Sequence, residues 1–298
     1  MSEFPQFTKA QYLGALLTIV CVAGILLVYR GQQIFLGQWH VFSTQQSVVR
    51  LATPMGMTDV GWRLKDGSAQ KAWYLPSTNG AIILYLHGSP GNRSSLLDEA
   101  LHLAKLGYGA LLLDLPGHGD SDGVPNWDDH FQESVAKALD YVVAQPETDP
   151  GRIGAFAYSM GTLTISKVAE KDDRIAAIVL LAPFTNLKDQ LKYQFRSRFG
   201  DGFWYAYAGA LLGGVPFEKM NTLKALSNGR PLPLLIIAGD EDTAIPLEMP
   251  YRLQKAKQGA RIWVAEGVGH IEFSILTVDG YFEELRSFFG ATIAEKQL

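Results

Sequence analysis

Short runs in which nearly every residue is apolar recur along the chain, at 81–86, 109–114, 152–157, 175–182, 233–238 and 261–265. Continuous runs bounded by Gly and Pro predict strands buried on both faces. Between them the apolar positions take a helical period, as with Phe131, Val135, Leu139 and Val142 in a helix expected over 128–145. Further helices are expected at 94–106, 160–171, 247–257 and near 275–289. Strand–helix alternation predicts an α/β fold: a mostly parallel twisted sheet with helices on both faces. Ahead of it, 58–64 and 69–75 form an expected hairpin turned at Asp66-Gly67.

Two segments break the rhythm. Tyr12 to Tyr29 is an uncharged apolar run between Lys9 and Arg30. Its 18 residues would span about 27 Å as a helix, close to a bilayer core. A cleaved signal peptide and a buried core helix share this signature. The run is longer than a usual signal-peptide core, however, and no Ala-x-Ala follows it. An uncleaved single-pass anchor is therefore the expectation, and one Lys against one Arg sets no orientation. Residues 31–57 then read as a connector, with Ile34, Phe35 and Trp39 on an amphipathic stretch. The second break is 184–230, an excursion between two sheet strands that carries Phe195, Phe199, Phe203, Trp204, Tyr205, Tyr207, Leu211 and Leu212. Long excursions inside compact domains are commonly functional. A helical cap with an apolar pocket is expected here, against the plainer alternative of aromatics that only fill a core. The expected organisation is an anchor over 1–30, a connector over 31–57, an α/β domain over 58–290 and a tail over 291–298.

Composition narrows the chemistry. The net charge is −4 with no basic block, which argues against nucleic acid as a partner. The single Cys21 permits neither an internal disulfide nor a cysteine zinc site, and no H-E-x-x-H occurs. No cofactor and no metal are expected. Asp120-Ser121-Asp122-Gly123 lacks the further ligands of a calcium loop and reads as a turn. Asn92-Arg93-Ser94 has the form of a glycosylation sequon, a pattern common by chance.

The candidate chemistry sits where strands end. Ala155-Phe156-Ala157-Tyr158-Ser159-Met160-Gly161 runs from a strand into a serine flanked by small residues and then a helix. This matches a nucleophile elbow, G-x-S-x-G, with Ala157 in place of the first Gly. His87-Gly88-Ser89-Pro90-Gly91 follows the strand 81–86. Asp240-Glu241-Asp242 follows 233–238, and His270 follows 261–265. The order Ser, Asp, His, each beyond the C-terminal end of a strand, is one in which a base can activate a serine. Ligand sites in open α/β sheets sit at that edge.

These residues, together with Asp114-x-x-Gly117-x-Gly119-x-Ser121, resemble the α/β-hydrolase family over roughly residues 58–290. Within it the chain is most similar to membrane-anchored serine hydrolases of the Bem46, ABHD13 and ABHD17 type. The resemblance implies Ser159 as nucleophile, His270 as base and Asp242 as orienting acid, the last from the G-x-x-D-x-x-P spacing of Gly239 to Pro246. It implies backbone amides of Ser89 and Met160 as oxyanion donors. His87, Tyr158, Phe203 and Trp204 are expected around the substrate, with His87 bracing the oxyanion loop and His118 either lining the pocket or on the surface. The implied activity is cleavage of an ester or thioester with an apolar acyl chain, such as a monoacylglycerol, lysolipid or S-acylated protein. A small-ester carboxylesterase and a non-catalytic scaffold of the same fold stay open as alternatives.

Overall fold

The computed structural model describes residues 8–42, 52–125, 127, 129–199, 203–212, 215–270 and 277–294. Eight strands form one sheet: β1 (Thr58–Arg63), β2 (Ala69–Leu75), β3 (Ile82–Leu86), β4 (Gly109–Leu113), β5 (Ile153–Tyr158), β6 (Ile175–Leu181), β7 (Leu234–Gly239) and β8 (Arg261–Ala265). Their order is β1-β2-β4-β3-β5-β6-β7-β8. Pairing is antiparallel between β1 and β2 and between β2 and β4, and parallel from β4 to β8. Every residue of β3, β4 and β7 is buried, which is why their sequences show no alternation. The chain steps from β3 outward to β4, then returns to β5 on the other side of β3. That reversal opens a crevice between the C-terminal ends of β3 and β5.

Helices cover both faces. On one lie α3 (Asp129–Val143), α4 (Met160–Ala169) and α8 (Glu248–Ala256), with the excursion helices α5 (Leu187–Phe199), α6 (Phe203–Leu212) and α7 (Thr222–Asn228). On the other, α2 (Leu97–Ala104) and α9 (Tyr281–Thr292) pack on Tyr85, Phe156 and Ile237. Between these two helices the Tyr281 hydroxyl donates to Glu99 Oε1 at 2.9 Å, deep in the protein. Burial pushes the Glu99 carboxyl up to about 7. The Tyr85 hydroxyl, also buried, finds no hydrogen-bond partner among the described residues.

Several boundaries differ from the sequence expectation. The helix expected at 94–106 opens as a 3₁₀ turn, Arg93–Leu96, because Asn92 caps it: the Asn92 side chain accepts from the Ser94 amide at 2.8 Å. That buried, committed side chain is a structural cap in the sequon-like triplet. The last helix starts at Tyr281 and runs to Thr292, past the expected end, with Phe288 and Phe289 on its buried face. The N-terminal helix α1 spans Lys9–Phe42, so the first part of the expected connector continues the same helix. The side chains of Ile34, Phe35, Trp39, Phe195, Phe199 and Tyr205, and residues 43–51, 271–276 and 295–298, lie outside what the structure describes. Among the described residues one helix, Tyr12–Gln32, is long and apolar enough to cross a membrane.

Candidate active site

The elbow is visible in the backbone. β5 ends at Tyr158, and Ser159 turns with φ +46° and ψ −111° before α4 begins at Met160. A non-Gly residue at positive φ is held there by its surroundings. The Ser159 amide donates to Leu181 O of β6 at 2.9 Å, and its carbonyl accepts from the Thr162 amide at 3.0 Å. Gly161 is required by the crossing of α4 over β3: a Cβ there would lie 2.6 Å from Leu86 O. At the other small position Ala157 is fully buried between Leu86 and Leu180, so the strand carries a methyl there.

Two partners converge on the serine from different elements. Ser159 Oγ is 3.3 Å from His270 Nε2, and His270 Nδ1 is 2.7 Å from Asp242 Oδ2. The other Asp242 oxygen accepts from the amides of Ala244 and Ile245 at 2.8 and 2.7 Å. Three hydrogen bonds thus fix a buried carboxylate, while the imidazole remains partly exposed. Neighbouring Asp240 faces elsewhere: its Oδ1 accepts from the Gly267 amide at 2.7 Å and braces the turn that leads to His270.

The loop after β3 passes against the serine. A Cβ on Gly88 would lie 3.1 Å from Ser159 Cβ and 2.5 Å from the Tyr158 ring, so only Gly fits. Ser89 follows Gly88 in this loop, and the Met160 amide opens α4 at the positive end of its dipole. Tyr158 is half-buried, its ring centroid 5.8 Å from that of His270; burial and the Asp242 charge push its phenol upward.

His87 is buried with both ring nitrogens engaged. Nδ1 donates to Gly88 O at 2.6 Å, and Nε2 accepts from the Leu115 amide at 3.0 Å. Burial and the adjacent His118 ring push it down to about 3, so it stays neutral. It is a buried brace between the β3 and β4 loops. His118 is likewise buried, against His87 and Phe131, and is neither at the surface nor at a mouth.

Sequence reasoning passed over a second brace. Buried Asp114 accepts from the Arg93 amide at 2.6 Å, from Arg93 Nη1 at 2.6 Å and from the Asp120 amide at 2.9 Å. It ties the D-x-x-G-x-G-x-S loop to the end of the loop that follows β3. The signal available was Asp114 at the end of an otherwise apolar strand. The two cap aromatics separate: Phe203 is 4% exposed and Trp204 64%. Consecutive helical residues point about 100° apart, so one turns inward and the other does not. Trp204 therefore faces outward. Among the described residues no group of three or more His, Cys, Asp or Glu side chains could hold a metal.

Residues 81–208 match the sequence model of the alpha/beta hydrolase fold family. The chain is similar to the uncharacterized protein Rv2307c of Mycobacterium tuberculosis, at 29% identity over 78% of this chain and 79% of that one. It is also similar to the mouse lysophosphatidylserine lipase ABHD12, at 28% identity over 65% of this chain, and it spans half the length of that lipase. Among solved structures it superposes on the Pyrococcus furiosus esterase Pf2001, with a TM-score of 0.66 at 20% identity, over 80% of this chain and 92% of that one. With its mostly parallel eight-stranded sheet and the family match across β3 to α6, the chain has the α/β-hydrolase fold.

Proposed function

We propose that the chain is a serine hydrolase that cleaves carboxylic esters or thioesters of apolar acyl chains through an acyl-enzyme. The observation that carries this reading is the line Ser159 Oγ, His270 Nε2, His270 Nδ1, Asp242 Oδ2, with spacings of 3.3 and 2.7 Å. The serine–histidine spacing is that of a resting site, where such contacts are often long until substrate tightens them. His270 Nε2 takes the Ser159 proton as Oγ attacks the acyl carbonyl, and Asp242 holds the Nδ1 proton and stabilises the imidazolium. The oxyanion meets the amides of Met160 and Ser89; one such donor is typically worth about 10² to 10³ in rate. His270 then gives its proton to the leaving alcohol or thiol. Water, activated by the same imidazole, hydrolyses the acyl-enzyme.

The lipid side of the reading rests on the ABHD12 likeness and on α1. We read residues 1–30 as a membrane anchor, 31–57 as a connector, 58–290 as the hydrolase domain with 184–230 as its cap, and 291–298 as a tail. In this reading the chain groups with membrane-anchored hydrolases of the Bem46, ABHD13 and ABHD17 type. Its substrate is a monoacylglycerol, lysolipid or S-acylated protein whose acyl chain lies against the inner side of the cap. Fluorophosphonate labelling of the wild type and of Ser159→Ala, followed by a p-nitrophenyl ester series beside a lipid panel, tests it. Labelling that needs Ser159 and activity that rises with acyl length are expected. Absence of labelling would leave a binding scaffold, and a preference for acetate a small-ester esterase.

A further inference from the structure

α6 is an unusual surface helix. Its ten residues, Phe203 to Leu212, include no charged side chain. One side is ordinary core: Phe203 and Ala210 are buried, Phe203 stacks on Tyr207 at 5.6 Å, and Tyr207 packs on Phe217 at 4.6 Å. The other side should be polar if it faced water, because an amphipathic surface helix sets charge opposite its buried stripe. Instead Trp204, Ala208, Leu211 and Leu212 fall on one arc of about 100°, by the helical rotation per residue. All four are exposed, Trp204 at 64%, Leu211 at 49% and Leu212 at 79%. Elsewhere in the hydrolase domain exposed large apolar side chains are scattered singly, at Leu101, Leu106, Val124 and Tyr251, for example.

The neighbour of this face identifies what covers it. α1 and α6 pack against each other. None of the described side chains of α1 as far as Gln32 is buried, so that helix keeps an exposed apolar surface while it packs on α6. The apolar, exposed span Tyr12–Gln32 and the exposed apolar arc of α6 thus belong to two helices in contact. A tryptophan on such an arc suits the headgroup boundary, where an amphipathic ring keeps one end wet.

We infer that α6 is a second membrane contact, seated by Trp204, Ala208, Leu211 and Leu212 at the headgroup–acyl boundary of the bilayer that α1 spans. The inference rests on the proposed anchor role of α1. Because the excursion carrying α6 leaves from the end of β6, where Leu181 O binds the Ser159 amide, the contact holds the catalytic edge of the sheet at the lipid surface. A lipid ester then reaches the serine from the bilayer without a passage through bulk water.

The test uses the full-length chain in phosphatidylcholine nanodiscs, with a bimane label read against doxyl-phosphatidylcholine quenchers placed shallow or deep in the acyl chain. Cys21 lies within α1 and is the chain's single cysteine, so labelling it reports the anchor. Leu212→Cys in a Cys21→Ser background reports α6, and Lys137→Cys on the exposed side of α3 is the aqueous control. Deep quenching is expected at position 21, shallow quenching at 212 and none at 137. Quenching at 21 without quenching at 212 overturns the α6 contact and leaves the anchor standing. No quenching at 21 overturns the anchor; the α6 contact then stands only if 212 is still quenched. A label at 212 that escapes lipid quenching but forms excimers as a pyrene assigns the face to a second copy of the chain, and also overturns the inference. In parallel, Leu211→Ser/Leu212→Ser should lower kcat/KM on a vesicle-borne lysolipid by about tenfold, by loss of buried apolar area at the interface. Its rate on dissolved p-nitrophenyl acetate and its thermal melt should stay unchanged. Equal rates on the vesicle substrate would count against the contact.

Discussion

His270 Nδ1 lies 2.7 Å from Asp242 Oδ2, whereas Asp240, two residues earlier, spends its carboxylate on the Gly267 amide. Asp242→Asn should therefore lower kcat by about 10⁴, because an amide at that position favours the wrong imidazole tautomer. Asp240→Asn keeps an acceptor oxygen for Gly267 and should lose less than about tenfold, the cost of a weakened neutral hydrogen bond. Steady-state kinetics on a soluble ester check both, and a reversed ranking would move the acid to Asp240.

Ser159→Ala should abolish ester hydrolysis and fluorophosphonate labelling while the melting curve stays at or above that of the wild type. The hydroxyl lies against His270 Nε2, and its removal opens no core cavity. Labelling of the alanine variant at the wild-type rate would place the nucleophile elsewhere.

The sheet was legible because β3, β4 and β7 are buried on both faces and so carry unbroken apolar runs. The Asp66-Gly67 turn likewise announced the hairpin of β1 and β2. Ser159, Asp242 and His270 were legible as positions after strand ends, since that topology gathers strand ends at one edge. Contacts between distant loops were not legible. His87 binds the Leu115 amide, and Asp114 binds Arg93, through register between β3 and β4 that no local pattern encodes. Nor did composition separate Phe203 from Trp204: both are aromatic, and only the rotation of α6 on the core decides which is buried.

That division predicts different phenotypes for the two rings. Phe203→Ala should cost about 3 to 5 kcal/mol of stability in the cap and flatten the rise of kcat/KM with acyl length, where each buried methylene is worth about 0.8 kcal/mol. Trp204→Ala should leave the slope for monomeric soluble esters unchanged. Both series are measured below the micelle concentration, and a flattened slope for Trp204→Ala alone would reverse the assignment.

Glu99 should make stability fall with rising pH. Its carboxyl is pushed up to about 7 by burial, from an ordinary value near 4.5. The folded state binds the proton more tightly than the unfolded chain. The contribution is therefore complete below about pH 4.5 and is lost as pH rises to about 7, a change of roughly 3 kcal/mol. Tyr281 donates to this carboxyl, and Tyr85 and Asp98 are the other titratable groups that act on it. Glu99→Gln keeps an acceptor for Tyr281 and should raise the melting temperature at pH 8 relative to the wild type, with little difference at pH 4. Equal gains at both pH values would show that folding does not raise the Glu99 carboxyl.

The +46° φ of Ser159 sets the working residue and the fold at odds. A serine held in that region typically costs about 1 to 3 kcal/mol, and glycine would relieve most of it. Ser159→Gly is thus expected to be the more heat-resistant protein and the inactive one. A laboratory selection for thermal tolerance alone would tend to discard the proposed nucleophile first. Retention of serine at this bend in natural variants of the chain can then be taken as a record of selection for turnover, independent of any assay.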